Sequence, residues 1–567
     1  MPVQEQTAKF VVTVDGAPLP PGADASLASA FVDDDLNLPD LFWLGFRDPH
    51  RSLLADLGLA VGSTVEVAVA TGSAAGELPL VAGEVTALEM THDAAGTMTV
   101  VRGLDHSHRL HRGRVTETYD DVTFTDVARA VATRAGLELG HLEESGTVHT
   151  QVVQHNQTDW DFLNRLAGEI GFEVGCLDGR FEFRPPTGAA GGPAPGDLAT
   201  EDPLALTLGL DLLRCRALVT AAEQVGDVVV RGWDVARKRA LVGSAPAAAD
   251  GAEVGVTPAG LAGVFGSPTH VGTGVLYGTQ AEVDDAARAQ AARIASAFAE
   301  IEGVARGNPR LRAGTVVSLG LAGEPFDGTY TLTSTRHRYD ARDGYTVDFS
   351  ASGRQRRSLL DLAGGPGATG PRRELPGVVP ALVTDVADPE DLGRVKVSFP
   401  WLADRHATTW VRMCQPGAGP SRGAVILPEV NDEVLVAFLH GDPDRPVVIG
   451  SLYNGVDRPE VGERLVDGAT GAVRRRGFVS KRGHKLVFLD DDGASGVMLG
   501  TGDGALRVAL KETGATIGVS SRGQVEVAAD GNVTITAGGR LELRARAGLS
   551  IDGGPLVEVK GSVVKLN

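Results

Sequence analysis

The sequence predicts a mainly β chain with an α+β N-terminal region, a small β-barrel beyond a Gly/Pro-rich break, and a C-terminal segment that one copy cannot fold alone. Three observations lead there. Glycine supplies 74 of 567 residues while aromatics make up only 5%, a composition of tight turns and β-structure. Alternating aliphatic runs bounded by Gly and Pro recur along most of the length. From Ile517 onward an aliphatic pair, one residue apart, returns every eight positions.

Length and a hydrophobic share of 43% suit several domains of about 100 to 200 residues each. A net charge of −20 and a pI of about 5.1 argue against a surface built for nucleic acid or anionic lipid, since both need clustered Lys and Arg. Cys176, Cys215 and Cys414 are too widely spaced for a disulfide framework or a thiolate zinc site. Each reads as a small buried hydrophobe. The start, MPVQEQTAKF, has neither the basic nor the apolar region of a signal peptide, and no apolar run reaches membrane-spanning length.

In chain order, FVVTV (10–14) and STVEVAVA (63–70) alternate as strands do. DFLNRLAGEIGF, from Asp161, puts Phe162, Leu166 and Ile170 on one helical face with Gly171 as the stop. TGAAGGPAPGD (187–197) reads as an internal loop, and a second loose segment spans about 244–275. AEVDDAARAQAARIASAFAE (281–300) reads as an Ala-rich amphipathic helix, followed by the strands TVVSLGL and TYTLTSTRHRY. GGPGATGPRRELP (364–376) reads as a domain linker. The strands RVKVSFPWL, TTWVRM, GAVILP and EVLVAFLHG, separated by Gly/Pro turns, suit a small β-barrel.

The octads place Ile517 and Val519, Val525 and Val527, Val533 and Ile535, Leu541 and Leu543, Leu549 and Ile551, and Val557 and Val559 in one register. Gly523, Gly531 and Gly539 precede three pairs at the same offset, where a turning chain needs φ > 0 or no side chain. The residue between the members of a pair is usually polar, as with Glu526, Thr534, Glu542, Ser550 and Glu558, so each unit reads as a short strand with one wet face. Burying an aliphatic side chain contributes about 1.5 to 3 kcal/mol, whereas ordering each residue costs about 1 to 2 kcal/mol in backbone entropy. Two such side chains per eight residues cannot carry an isolated chain. A sandwich of hairpins would tolerate irregular loops, and a single-chain β-helix favours six- or nine-residue units. The strict period therefore predicts three identical chains wound into a prism with the aliphatics inside.

These octads resemble the β-helical needle of contractile-injection spike proteins, the VgrG (valine-glycine repeat) family and its phage and extracellular relatives. Stretches 35–67, 101–113, 152–174 and 308–353 resemble that family's late-control-D-like hub, and LGRVKVSFPWL, WVRM and LPEVNDEVLVAFLHGDPDRPVVIGSLYNG resemble its OB-type barrel. The resemblance implies two tube-like hub barrels with an α/β insertion, an OB-type barrel and an intertwined trimeric β-helix. The domains implied are a first hub barrel (1–100), insertion (101–210), second hub barrel (211–360), linker (361–376), OB-type barrel (377–455), neck (456–496) and needle (497–567). It further implies a homotrimer that seats a hexameric inner tube, meets baseplate proteins, and pierces a target membrane mechanically. The particle would be assembled in the bacterial cytoplasm and released in some systems. The chain ends about where the needle ends, so a separate PAAR-like tip protein is expected to dock on Val563, Val564, Leu566 and Asn567. Fusion of hub and spike in one chain argues against many phages, where the two are separate proteins, and the compact length without a C-terminal effector favours an extracellular-type particle over a type VI spike.

No catalytic residue, metal site or cofactor is expected. His106, His108 and His111 lie close beside Asp105, but Arg102, Arg109, Arg112 and Arg114 would repel a cation. Asp490, Asp491 and Asp492 lack the spacing of a calcium loop and read as a hairpin turn. The acidic pairs Asp120/Asp121 and Glu143/Glu144 read as solvated surface rather than a glycosidase couple. No G-x-S-x-G elbow occurs. Trp401 and Trp410 could stack on single-stranded nucleic acid, yet both lie in apolar strand patterns and the chain is acidic. The basic run RRRGFVSKRGHK (474–485) reads as a solvated or intersubunit neck. The competing function is a trimeric tail-fibre-like protein that binds a receptor or cleaves a glycan, which would require carboxylates clustered on the outer helix face.

Overall fold

The alternation that predicts strands in the first hundred residues builds them. Lys9–Val14 buries Phe10, Val12 and Val14 and pairs antiparallel with Thr64–Ala70, which buries Val65, Val67 and Val69. The computed structural model describes residues 9–565 apart from 71–75, 95, 341–343, 355–374, 376, 403–406, 462–463 and 492. The expected linker 361–376 therefore falls, except for Leu375, outside the described residues. The chain divides into two units, Met1–Leu452 and Tyr453–Asn567.

In the first unit one sheet of 11 strands runs through both halves of the hub. Leu27–Asp35 from the first half pairs antiparallel with Ser334–Asp340 from the second, in register from Ser29↔Asp340 to Asp35↔Ser334. The two halves are thus joined through one continuous hydrogen-bonded sheet. Side chains explain the seam. Arg336 grips Asp33, with Nη2 donating to Oδ2 at 2.6 Å, and lies over the Phe31 ring, which stacks on Trp43 at 5.5 Å. Beneath, the fully buried His337 meets the Tyr345 hydroxyl at 2.6 Å and the Leu311 carbonyl at 2.9 Å. Burial and the charge of Arg312 hold that imidazole neutral, down to about 3.

The insertion is a compact α+β layer with its own core, including Phe124, Val131, Phe162, Leu166, Phe181 and Phe183. Its helix Asp159–Ile170 begins two residues before Asp161 because Thr158 accepts from the Asp161 N–H as N-cap. It ends at Gly171, whose φ of 78° closes the helix as expected.

Two features of the second hub half differ from expectation. The Ala-rich helix spans Gln280–Ala295 behind a Thr279/Glu282 capping box, and the sequence then passes through a short turn into the strand Ala299–Arg306. Phe298, Ala299 and Ile301 are claimed by the second-half core, so the helix stops before 300. The stretch 244–275, expected to be loose, contains the strand Ala252–Val254, the helix Pro258–Val264 and most of the strand Thr269–Tyr277. That last strand joins Asp227–Asp234 and Arg239–Pro246 in a small sheet under the Ala-rich helix, with Val228, Val230, Leu241, Val283 and Ala287 as a separate core. This module packs its helix on the insertion helix, so residue 211 does not mark a clean boundary.

Residues 378–451 form the expected barrel. Five strands pair in one sheet, and bridges Val395↔Val411 and Ser398↔Ala407 join its end strands. Val383, Val397, Phe399, Val434, Val436 and Val448 fill the interior.

Gly103 tests the packing of the first half. A Cβ there would lie 2.0 Å from the buried Phe42 ring and 2.3 Å from the Glu84 carbonyl, while one at Gly175 would meet nothing within 4 Å. Gly103→Ala is expected to destabilise the hub by about 1 to 3 kcal/mol and Gly175→Ala by less than about 0.5 kcal/mol, read as urea midpoints on the full chain.

Candidate spike surface

In the second unit, tight turns fold 475–521 back on itself. Arg475–Val479, Lys485–Leu489, Gly496–Gly500, Leu506–Lys511 and Thr516–Ser521 make a five-stranded antiparallel meander. The expected boundary between neck and needle at 496/497 falls inside this sheet. The overlooked signal lies in the turns themselves: DDDGAS, TGDGA and KETGA each separate strands of five or six residues. Ile517 and Val519, expected in the needle interior, belong instead to the last strand of the meander.

Register places the apolar side chains together. Phe478, Leu486, Leu499, Val508 and Val519 form one cross-strand row, and Phe488, Val497, Leu510 and Ile517 form a second on the same face, with Arg476 at its end. None of these nine apolar side chains is buried. The opposite face carries Val487 and Ala509, both buried.

From 522 to 565 every described residue is exposed, and none belongs to a strand paired within this chain. The remaining octad residues, Val525, Val527, Val533, Ile535, Leu541, Leu543, Leu549, Ile551, Val557 and Val559, are between 52% and 77% exposed. Two of the polar residues between them pair with charged neighbours: Glu542 with Arg544, and Glu558 with Lys560 at 2.6 Å. The aliphatic face and the backbone lack cover from their own chain. Gly523, Gly531 and Gly539 do not occupy the left-handed region, so of the two expected reasons for glycine only the need for no side chain remains. Around Gly531 and Gly539 a Cβ would meet nothing within 4 Å in this chain. Val563 and Val564 are exposed; Leu566 and Asn567 lie outside the described residues.

The charged motifs resolve into pairs. His108 meets Glu84 at 2.8 Å, His111 stacks on Trp160 at 4.7 Å, and Arg109 holds Glu84 down to about 2 against the effect of burial, with help from His108. Burial lowers His106 and His111. Asp120 accepts from the Gln151 amide at 3.0 Å, Glu143 meets His141 at 3.3 Å and Glu144 meets Arg129 at 3.1 Å. The basic run and the Asp triplet answer each other across adjacent strands: Arg474 and Arg475 each approach Asp491 at 3.4 Å, and Arg476 pairs with Asp490. Asp492 lies outside the described residues. In the barrel, the Trp401 indole donates to the Pro380 carbonyl at 2.8 Å and Lys396 covers Trp410 at 4.9 Å. Lys396 thus covers the Trp410 ring, while Trp401, tied by its indole N–H, remains 49% exposed. No helix among the described residues is long and apolar enough to cross a membrane.

The Arg–Asp ladder makes a graded prediction. Asp491→Asn removes a carboxylate shared by Arg474 and Arg475, Arg474 keeping its pair with Asp467, and should cost up to about 1 kcal/mol, whereas Asp490→Asn at an exposed pair should cost a few tenths at most. Unfolding of the second unit at low and high salt checks this, with the Asp491 effect shrinking as salt rises.

Residues 379–453 match a family model described as a type VI secretion system/phage-baseplate injector OB domain, and 59–340 match one described as an Alg8 N-terminal domain. The chain is 31% identical over 189 residues to the type VI secretion system spike protein VgrG3 of Vibrio cholerae, an alignment covering 28% of this chain and 18% of that protein. It is 31% identical over 215 residues to VgrG2a of Pseudomonas aeruginosa, covering 35% of this chain and 25% of that one. The chain therefore matches about a quarter or less of the length of these relatives. A chain of the Francisella PdpA–VgrG complex shares the fold at a TM-score of 0.54 and 8% identity, covering 92% of this chain and 89% of that one. An injector-type OB domain thus lies between the two-half β region and the aliphatic octad repeat, and over the matched stretches the chain is similar to VgrG spike proteins.

Proposed function

We propose that this protein is the structural spike and baseplate hub of a contractile injection system, assembled as a homotrimer and without catalytic activity of its own. One observation carries the reading: an aliphatic stripe of strict period eight runs through a segment in which each described residue from 522 to 565 is exposed. Isolated exposed Val, Leu and Ile are ordinary on protein surfaces, but a periodic stripe beside unpaired backbone is a surface built to be covered. Two further copies would cover it with the same residues. The apolar face of the meander continues the stripe at Ile517 and Val519, so the assembly would start there and run toward the C-terminus. Closing the strands against one another leaves no sheet edge along the needle, which suits a part that is driven through a membrane under load.

In this reading the hub seats a hexameric inner tube and meets baseplate proteins, and the C-terminal residues Val563, Val564, Leu566 and Asn567 receive a PAAR-like tip protein. The particle is assembled in the bacterial cytoplasm. Sheath contraction supplies the work, and the chain transmits it.

The purified protein is expected to scatter light with three times the 58.9 kDa chain mass. Val533→Asp combined with Ile535→Asp would place six carboxylates inside the prism at a cost of several kcal/mol each unless they protonate, and should abolish the trimer. A well-folded wild-type monomer would reject the intertwined needle. Deleting 560–567 should leave the trimer mass unchanged and remove capture of a PAAR-like tip protein in a pull-down; retained capture would reject the docking assignment.

A further inference from the structure

The turn between the last two barrel strands reaches into the hub. Asp444 accepts from the Val153 N–H at 2.6 Å and lies 3.7 Å from Arg165 Nη1 on the insertion helix. Arg165 in turn donates to the Val153 carbonyl at 3.0 Å and meets Glu169 at 3.4 Å. Arg445 donates from Nη2 to Glu282 at 3.1 Å, at the first turn of the Ala-rich helix, and its Nε lies 3.6 Å from Asp442. His149, stacked on Phe124 at 4.1 Å, meets Glu282 at 3.5 Å. A cavity of about 260 Å³ lies among these groups.

The charges here do not balance. Glu169, Glu282, Asp442 and Asp444 face two guanidinium groups, Arg165 and Arg445, and one imidazole, His149. Glu282 is well served: His149, Arg445 and the Gly278 N–H outweigh the opposing effect of burial and hold it at about 2. Asp444 is not. It is largely but not fully buried, with the charges of Asp442 and Glu169 raising it and only Arg165 and the Val153 N–H opposing them. We propose that the turn Asp442–Arg445 is a proton-responsive latch between the OB barrel and the hub, held shut when Asp444 is protonated and loosened when that carboxylate is charged.

Burial, then the charge of Asp442, pushes Asp444 up to about 7 when the latch is shut. An undocked Asp444 would titrate near the ordinary carboxylate value of about 4. Closing therefore takes up a proton between these two values. The latch is tightest at the acid end of that window, weakens by up to tenfold per pH unit as pH rises, and levels off above about 7, where both states are charged. Glu282 contributes the opposite slope only below about 4, outside this range. These contacts all lie within one chain.

Hydrogen exchange of the strand His149–Gln157, followed on the full chain between pH 5 and 8.5 and corrected for intrinsic exchange, reads the latch through the Val153 amide. Wild-type protection is expected to fall by up to tenfold per unit from pH 5 to about 7 and then flatten. In Asp444→Asn, which keeps an acceptor for Val153 but cannot titrate, that slope should vanish with protection retained; a slope carried by another group, His149 included, would survive. Should Asp444→Asn fail to fold, Asp442→Asn gives the second reading. Relief of its repulsion lowers the Asp444 value, so the flattening should move to lower pH. Flat wild-type protection from pH 5 to 7, an undiminished slope in Asp444→Asn, or no shift in Asp442→Asn would each overturn the proposal.

Discussion

Pairing of Leu27–Asp35 with Ser334–Asp340 is the contact on which the first unit depends. It joins strands about 300 residues apart, so the chain meets a large loop-closure cost before the sheet repays it. That explains the concentration of interactions at the seam. The Arg336–Asp33 fork, the Arg–Phe–Trp stack above it and the buried His337–Tyr345 pair below it hold one register. A slip by one residue would turn Val32 and His337, both fully buried, to the solvent side. Arg312 adds a tie from the second half, binding Asp34 and donating to the Pro79 carbonyl at 3.1 Å.

The same junction concentrates negative charge in the interior. Asp34, Asp40 and Asp105 cluster near Arg312, and burial raises Asp40 well above its ordinary value and Asp105 to about 7. Raised carboxyls favour the folded state when protonated, so their contribution is greatest at acid pH and is lost as pH rises through about 7. Glu84, held low by Arg109 and His108, works in the opposite sense and only at strongly acid pH. An acidic chain of this kind therefore does not owe its fold to general charge balance. Among the described residues many arginines pair with particular carboxylates, and a few buried acids remain that stability trades against pH.

Much of this was legible in residues whose local pattern and tertiary setting agree. FVVTV, STVEVAVA and the Asp159–Ile170 helix with Gly171 as its stop satisfy propensity, periodicity and core at once. The Ala-rich helix was misjudged at its end because AFAE is helical by local propensity, whereas the core captures Phe298 and Ile301 as a strand. The shared hub sheet was illegible for another reason: no local pattern can report which of many alternating strands lies beside Leu27–Asp35. The histidine-rich loop and the basic run illustrate the same limit at candidate sites. Their chemistry is decided by partners distant in sequence, Glu84 in one case and Asp490 and Asp491 in the other.

The octad glycines carry the remaining step. A recurrent glycine ordinarily answers either a left-handed φ or a close neighbour. Gly531 and Gly539 have neither within this chain. Gly103 illustrates the second case, with the Phe42 ring occupying the space of its missing Cβ. A glycine recurring every eight residues, beside an aliphatic pair that its own chain leaves exposed, is best explained by a constraint that another chain imposes. Threefold winding would bring each strand end against a neighbouring strand at a fixed offset, where a side chain would hold the chains apart. The same repeat would then account for the aliphatic pair as the filling of the prism and for the glycine as its corner.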